Sequence, residues 1–425
     1  MEPEKRHTYF VLMGLLSFLC IYTVIPHSRL IDSVTLLFDQ RYYYDKVFRY
    51  GSENDSASSQ NMIAESSTNT GGAYKKMLIW TKWNSEQLAY DQHNQPGWFK
   101  NCPESRCLAV TNRNERKQAS AIIFTCPILT RDLPHQSARN RSVYYIFHLD
   151  ESPDTTKKLM NYRAWDNHPG FFNLTMSYRL DSDIYSDLYT GGYTPRHFNQ
   201  SRLTDPLWYA SKRDILWLVS HCDTASKRED YAAELGKYVS IDKLGKCDQP
   251  DPCRHKHGAN GCDSEDLIKH FKFYLSFENS ICKGYATEKL YRALNNDVVP
   301  IVLGGADYKK LLPPGAVINV EDYPSPKALA EYLIHLMRNE EAYLKHFAWK
   351  YPPNPLWYMP GIPNRESSSF CKICELLHRP PKERIRKSYE NMNKWWFAGQ
   401  CRESTVNYKK NQSEKASQKE IIMDD

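Results

Sequence analysis

Nowhere along these 425 residues do lysine and arginine gather into a dense block, and no basic–aromatic motif is present. The formal net charge is only +6, so no nucleic-acid partner is expected, although a small anionic ligand suits the mild surplus. No internal repeat is visible, which argues against repeat architectures. A second long apolar run is also missing beyond Ile25, so one membrane crossing is the most to expect. The single run, Thr8–Ile25 (TYFVLMGLLSFLCIYTVI), contains no charged residue. As a helix it would be about 27 Å long, close to the thickness of a bilayer's hydrocarbon core. Its exit, Ile25-Pro26-His27-Ser28, lacks the small residues of a cleavage site, so a retained anchor is expected rather than a removed signal peptide. Lys5 and Arg6 precede it and favour a cytosolic N-terminus with the remainder luminal, a type II arrangement.

What is present agrees with a globular, luminal remainder. Hydrophobic residues make up 41% and charged residues 25%, with 29 Tyr and 10 Trp; aromatics of this number are core material first. Sequons occur at Asn54, Asn140, Asn173, Asn199 and Asn411, each able to accept a glycan if exposed. Cys20 lies in the apolar run and leaves 11 of the 12 cysteines on the luminal side, where disulfides persist. Cys371-Lys-Ile-Cys374, and the set Cys247, Cys253, His255, His257 and Cys262, also have spacings that suit zinc. In the lumen disulfides are the expected state, and Cys102 and Cys107 are near enough to pair locally. Residues Gly51–Ala73 are rich in Ser, Asn, Thr and Gly and have too little apolar content to fold, as a flexible stem would.

After Tyr74 the pattern becomes α/β. Short β-rich runs at Met77–Trp80, Ala121–Thr125, Val143–Leu149, Ile215–Val219, Phe271–Phe277 and Val298–Leu303 alternate with helix-compatible stretches such as Asp230–Tyr238 and Pro326–Met337. Such alternation predicts parallel sheets from βαβ units. The length predicts two Rossmann-like domains, meeting near Pro206–Arg213. The expected organisation is a cytosolic tail (1–7), anchor (8–25), stem (26–74), N-terminal Rossmann-like domain (75–212), C-terminal Rossmann-like domain (213–365) and a cysteine-containing terminal segment with a polar tail (366–425).

The densest chemistry lies in KFYLSFENSICKGYATEKLYRALNNDVVPIVLGG, Lys272–Gly305. Strand Phe271–Phe277 puts Lys272, Tyr274 and Ser276 on one face by period two. It ends in the polar group Glu278-Asn279-Ser280, and ligands of open α/β sheets bind beyond the carboxyl ends of strands. A helix is predicted over Ala286–Leu294, with Tyr285, Glu288 and Lys289 on one face of its first turns. Its N-terminus favours anions; the plain alternative is a solvated, charged helix face. The next strand closes in Gly304-Gly305, which permits close backbone approach. Upstream, strand Val143–Leu149 leads into FHLDESPDTT, where Glu151 stands at a strand end and Asp150 is aimed elsewhere by alternation. From position alone a solvated loop carboxylate is the favoured reading of Glu151.

FYLSFENSICKGYATEKLYRAL resembles the signature of the α1,3-fucosyltransferase family, glycosyltransferase family 10, with Gly284 where Asp is usual before Tyr285. VPIVLGGADY, INVEDYPSPKALAEYL and SYRLDSDI continue the resemblance, which spans approximately Met77–Trp396 and looks like an invertebrate member. It implies a GT-B architecture, two facing Rossmann-like domains, in a Golgi membrane enzyme. The implied reaction moves fucose from GDP-fucose with inversion onto a glycan. By the same resemblance Asn279, Tyr285, Glu288 and Lys289 bind the donor, with Glu278 and Lys272 of the same motif. Arg228, in SHCDTASKREDYAAEL, reaches the diphosphate, a task suited to an always-charged, bidentate guanidinium. The ESP segment implies that Glu151 is the general base. The spaced pair Asp181 and Asp183 has the form of a metal site. GT-B enzymes instead neutralise the leaving group with cations and helix dipoles. No obligatory cofactor is therefore expected, and Mn²⁺ or Mg²⁺ is left as a stimulant without a fixed protein site. Tyr178 and Arg179 are placed near the donor. The CxxC is implied to be structural. Among acceptors, the spacing of NCPESRCLAVTNRNERKQASAII and the CKICELLH ending lean toward the Asn-linked core GlcNAc, with N-acetyllactosamine antennae as the alternative. A lectin or an inactive family member is the other class. Phe99, Trp98 and Trp165 either stack on acceptor sugars or belong to the core.

Overall fold

The computed structural model describes residues 73–81, 99–125, 133–159, 165, 168–186, 189, 205–248, 267–350 and 368–404. Two sheets organise them. The first contains β1 (Lys75–Ile79), β2 (Cys107–Val110), β3 (Ala119–Thr125), β4 (Tyr144–Leu149), β5 (Leu174–Ser177) and β6 (Ile184–Tyr185), in the order β2-β1-β3-β4-β5-β6. The second contains β7 (Arg213–Leu218), β8 (Ile241–Leu244), β9 (Phe271–Phe277), β10 (Val299–Leu303) and β11 (Ile318–Asn319), in the order β11-β10-β9-β7-β8. Every strand pairing in both sheets is parallel, as the βαβ reading requires. Crossovers cover both faces of such sheets, so their strands are apolar without alternation. Accordingly, all of YYIFHL in β4 and all of FKFYLSF in β9 are buried.

The helices that matter here are α1 (Pro153–Leu159), α2 (Arg228–Leu235), α3 (Glu288–Asn295), α4 (Pro326–Arg338), α5 (Ser369–His378) and α6 (Met392–Phe397). The sequence of α4 shows why it forms. The Ser325 side chain accepts from the N–H of Ala328, Pro326 occupies the first turn, and Leu329, Leu333 and Leu336 recur on the buried face.

The chain does not end on the second sheet. Helix α5 returns to the first, where Cys371 bonds to Cys102 and Cys374 to Cys107. The expected local Cys102–Cys107 pair is therefore corrected: their partners lie 269 and 267 residues away, a separation that sequence spacing cannot show. Both cysteines of the CxxC are consumed as disulfides, as expected in an oxidising compartment. Cys247 is likewise bonded to Cys222, which removes it from the zinc-like set; Cys253, His255, His257 and Cys262 lie outside the described residues.

Helix α6 buries Trp396 completely, with its indole N–H donating to the Thr156 hydroxyl at 2.9 Å. One apolar cluster joins Phe124 and Phe147 of the first sheet, Val302 of the second, Tyr285, Leu290 and Trp396, so the two sheets share a core. Trp165 meets Phe147 edge-on at 5.0 Å, and Trp165 and Phe99 are 2% and 1% exposed. Neither can stack on an acceptor sugar, which resolves both as core. Trp98, the segment Thr8–Ile25, the stem and the sequons Asn54, Asn199 and Asn411 lie outside the described residues. Among the described residues no helix is long and apolar enough to cross a membrane.

Candidate active site

The carboxyl ends of β4 and β9 meet. Beyond β4, the Ser152 hydroxyl lies 2.8 Å from that of Ser280, which follows β9. Glu151, next to this contact, is 5% exposed. Its Oε1 accepts from the Ser152 N–H at 2.7 Å, the Tyr285 hydroxyl at 2.7 Å and Asn279 Nδ2 at 3.4 Å. Oε2 takes no hydrogen bond among the described residues. One oxygen is thus fixed by three donors and the other by none of them. Strand alternation separates the neighbouring acid as expected. Asp150 Oδ2 lies 2.8 Å from His148 Nε2 and accepts from the Ser186 hydroxyl at 2.8 Å. The Asp150 carbonyl accepts from the Tyr189 hydroxyl.

The β9 side supplies the charges. Glu278 is 1% exposed and does a capping residue's work from outside the helix. Its Oε1 accepts from the Thr287 N–H at 2.7 Å and hydroxyl at 3.0 Å, where the Thr287 side chain makes no cap of its own. Lys289 Nζ sits 3.0 Å from Glu288 Oε1 and 3.5 Å from Glu278 Oε2. Burial opposes ionisation of Glu288, but Lys289 and Arg292 overcome it and hold the carboxyl at about 2. Burial likewise opposes the charge on Lys289, yet Glu288 and Glu278 raise it above its usual value. Burial raises the Glu278 carboxyl, with Lys289 opposing.

Arg228 is 3% exposed. It donates from Nη1 to the Phe277 carbonyl at 2.6 Å and from Nη2 to the His221 carbonyl at 3.0 Å. Ser226 donates from its hydroxyl to the Glu278 carbonyl and from its N–H to the Asn279 carbonyl. Residues 226–228 thereby clasp three consecutive carbonyls at the end of β9. The Arg228 charge lies close enough to Lys289 to repel it.

Most expected site residues converge here: Glu151, Arg228, Glu278, Asn279, Tyr285, Glu288 and Lys289. Two details differ. Helix α3 begins at Glu288, so Tyr285 belongs to the preceding loop and not to the helix face. Its hydroxyl reaches Glu151 all the same, and its ring meets Tyr178 edge-on at 4.9 Å, so Tyr178 does border the site. Burial, followed by the charge of Glu151, pushes the Tyr285 phenol well above its ordinary range, so it remains a donor.

Lys272 is corrected. It stands at the opposite end of β9 from Glu278, about 20 Å away along an extended strand of six steps. There its ammonium donates to the Lys212 carbonyl at 2.6 Å and covers the Tyr209 ring. Its donor role was implied by membership of the motif, which does not say which end of the strand faces the cleft. Arg179 is also taken up elsewhere: it pairs with Asp181, donates to the Trp395 carbonyl and lies over the Trp395 ring. Asp183 accepts from Thr175 and the Tyr389 hydroxyl and pairs with Lys387. The two aspartates are therefore divided between separate partners rather than presented together. Gly304 and Gly305 are required as expected, but by the protein itself. A Cβ on Gly304 would meet the Tyr308 hydroxyl at 2.4 Å, and one on Gly305 the Cys282 carbonyl oxygen at 2.4 Å.

Of the two described sequons, Asn140 is exposed. The Asn173 side chain accepts from Arg139 and the Tyr145 N–H and donates to the Lys387 carbonyl. Sequence reasoning missed Ser226 and Tyr189, whose contacts are remote in sequence, and His148, whose partner Asp150 is two residues away; it placed Ser280 at the strand end without its contact to Ser152.

Two family patterns match the chain in succession across this site. Residues 73–189 match the N-terminal fucosyltransferase pattern, and residues 208–395 match the C-terminal pattern of glycosyltransferase family 10 (fucosyltransferase). A relative in Drosophila melanogaster, α-(1,3)-fucosyltransferase C, is 33% identical over 350 residues, covering 76% of this chain and 75% of the relative. The chain belongs to glycosyltransferase family 10. It is therefore a glycosyltransferase of the fucosyltransferase family, which sets aside the lectin reading. A second family member, the 3-galactosyl-N-acetylglucosaminide 4-α-L-fucosyltransferase of Bos taurus, is 32% identical over 322 residues, covering 72% of this chain and 78% of its own. A crystal structure of an α1,3-fucosyltransferase with GDP-fucose is 14% identical, with a TM-score of 0.48, over 76% of this chain and 95% of that one.

Proposed function

We propose that this family 10 enzyme is an inverting α1,3-fucosyltransferase that moves L-fucose from GDP-β-L-fucose to N-acetylglucosamine of glycoprotein glycans. The observation that carries the reading is the single contact Tyr285–Glu151: it joins a carboxylate at the end of β4 to the loop that leads into Lys289. In the proposed step the acceptor hydroxyl oxygen bonds to fucose C1 as the bond from C1 to the diphosphate oxygen breaks. Glu151 Oε2 takes the hydroxyl proton, and the electron pair of the broken bond leaves on GDP. Lys289 and Arg228 stabilise that leaving charge, and the N–H groups at the start of α3 add to it. Asn279 and Tyr285 hold Glu151 in place on its other oxygen.

The wild-type full-length enzyme and Glu151→Gln test this directly. With GDP-fucose and an acceptor, the variant is expected to lose about 10²–10⁴-fold in kcat while binding GDP as tightly as wild type by calorimetry. Equal turnover would remove Glu151 from the step; a wild type without transfer would identify an inactive family member.

For the acceptor, the spacing of NCPESRC and the CKICELLH ending support the Asn-linked core GlcNAc. The name of the bovine relative supports a galactosyl-N-acetylglucosamine antenna instead. Offering both acceptors side by side, with the linkage determined, decides between them. The anchor Thr8–Ile25 and the sequons support a Golgi type II membrane location. Protease protection of the C-terminal portion in intact vesicles is the expected result, and digestion there would sink it.

A further inference from the structure

The loop that carries Asn279 and Tyr285 is held from a place the reaction does not explain. Cys282, in the middle of that loop, is disulfide-bonded to Cys401, near the end of the described chain. The same two residues form an isolated antiparallel bridge. Around it the Lys283 N–H donates to the Gln400 carbonyl at 2.8 Å, and the Arg402 N–H to the Ile281 carbonyl at 3.0 Å. Arg402 also pairs with Glu321. Beneath the loop, the Cys282 backbone fills the space a side chain on Gly305 would need, and the Gly284 N–H donates to the Gly305 carbonyl.

Residues 400–402 are themselves anchored. They follow α6, whose Trp396 donates to Thr156 of α1 and packs on Phe147 of β4. Helix α1 starts two residues after Glu151. One short terminal segment therefore touches both the helix that follows the base and the loop that follows β9.

We propose that residues 400–402, with the Cys282–Cys401 disulfide, are a positioning clasp. It holds the 279–287 loop in its donor-binding arrangement and in register with Glu151. This rests on the GDP-fucose reading above. Cys282 and Cys401 act through Asn279, Tyr285 and the start of α3, not on the substrate. Without the clasp the loop must be ordered each time donor binds, and ordering several side chains weakens binding. The acceptor, which meets the β4 side, is not expected to feel the change.

The test compares the full-length wild type with Cys282→Ser/Cys401→Ser and with a control, Cys102→Ser/Cys371→Ser, which opens a disulfide on the first sheet. In the clasp variant the KM for GDP-fucose and the GDP dissociation constant should rise about tenfold, with acceptor KM within about twofold of wild type. The control should lose stability but keep its donor KM. If the clasp variant fails to fold, mild reduction of folded wild-type enzyme follows, with the opened cysteines mapped by alkylation and GDP affinity measured. The loss should track opening of Cys282–Cys401. Donor affinity unchanged on opening it, or raised equally in the control, overturns the clasp. A wild type that does not bind GDP at all instead refutes the functional reading.

Discussion

Tyr285 stands between the two halves of the proposed chemistry, and its phenol is kept protonated by burial and by the charge it serves. Tyr285→Phe removes one of three donors to Glu151 Oε1. A hydrogen bond to a charged group contributes about 1.5–3 kcal/mol, so a fall in kcat/KM of about ten- to a hundredfold is expected in steady-state kinetics. Unchanged kinetics would show that Ser152 and Asn279 suffice. Lys289→Ala and Arg228→Ala should each weaken GDP binding in calorimetry by about tenfold or more, for the same reason. Lys272→Met, by contrast, should leave donor affinity untouched while lowering the melting temperature, because its ammonium serves a backbone carbonyl at the far end of β9. The charged pair also sets a pH dependence. Glu288 is depressed to about 2, so its stabilising charge is complete above the ordinary carboxylate range and is lost as pH falls toward that value. Lys289 is raised, so its contribution is complete below its unfolded value and is lost only above it. Neither changes charge between about pH 5 and 8, so neither gives donor KM a titration in that window. One seen in wild type and lost in Glu278→Gln would belong to Glu278, whose carboxyl burial raises, and one that persists in that variant would contradict the assignment. At this scale Glu151 was legible through the resemblance of its ESP segment, since a carboxylate at a strand end is by itself no different from a solvated one. Lys272 was not, since a motif lists neighbours in sequence and a strand separates them in space.

At the scale of elements, α3 depends on an acid that is not part of it. Glu278 ends β9, yet supplies the acceptor that the Thr287 N–H lacks. Glu278→Ala should destabilise the protein by about 1–2 kcal/mol and lower GDP affinity as Lys289 loses a partner, both measurable on one purified sample. An intact melting temperature would show that the cap is dispensable. Strand β9 and helix α4 could be read almost residue by residue, because an aromatic, β-rich run closed by a polar group and a capped, periodic stripe each have one reading. The short strands β2, β5, β6, β8 and β11, of two to four residues, could not. Their pairing comes from neighbours that no local window contains. The start of α3 was displaced for a related reason: its cap arrives from nine residues upstream.

The whole molecule is closed by its terminal segment. Two parallel sheets were foreseeable from alternation, whereas the return of α5 and α6 to the first sheet was not, because the CxxC spacing says nothing about where its partners lie. Opening the inner staple with Cys107→Ser/Cys374→Ser should cost about 2–4 kcal/mol of stability, with GDP affinity preserved in the folded fraction. Loss of donor binding at equal fold content would instead place that staple in the site.

Those staples impose an order on assembly. Cys102 and Cys107 emerge from the ribosome with their partners still 269 and 267 residues from being made. At about 5–20 residues per second, their thiols wait roughly 13–54 s before the last helices arrive. The first sheet therefore cannot complete its covalent framework until helix α5 has been made. Nascent chains halted before Phe370 should still expose both thiols to alkylation, and release of the finished polypeptide should protect them together.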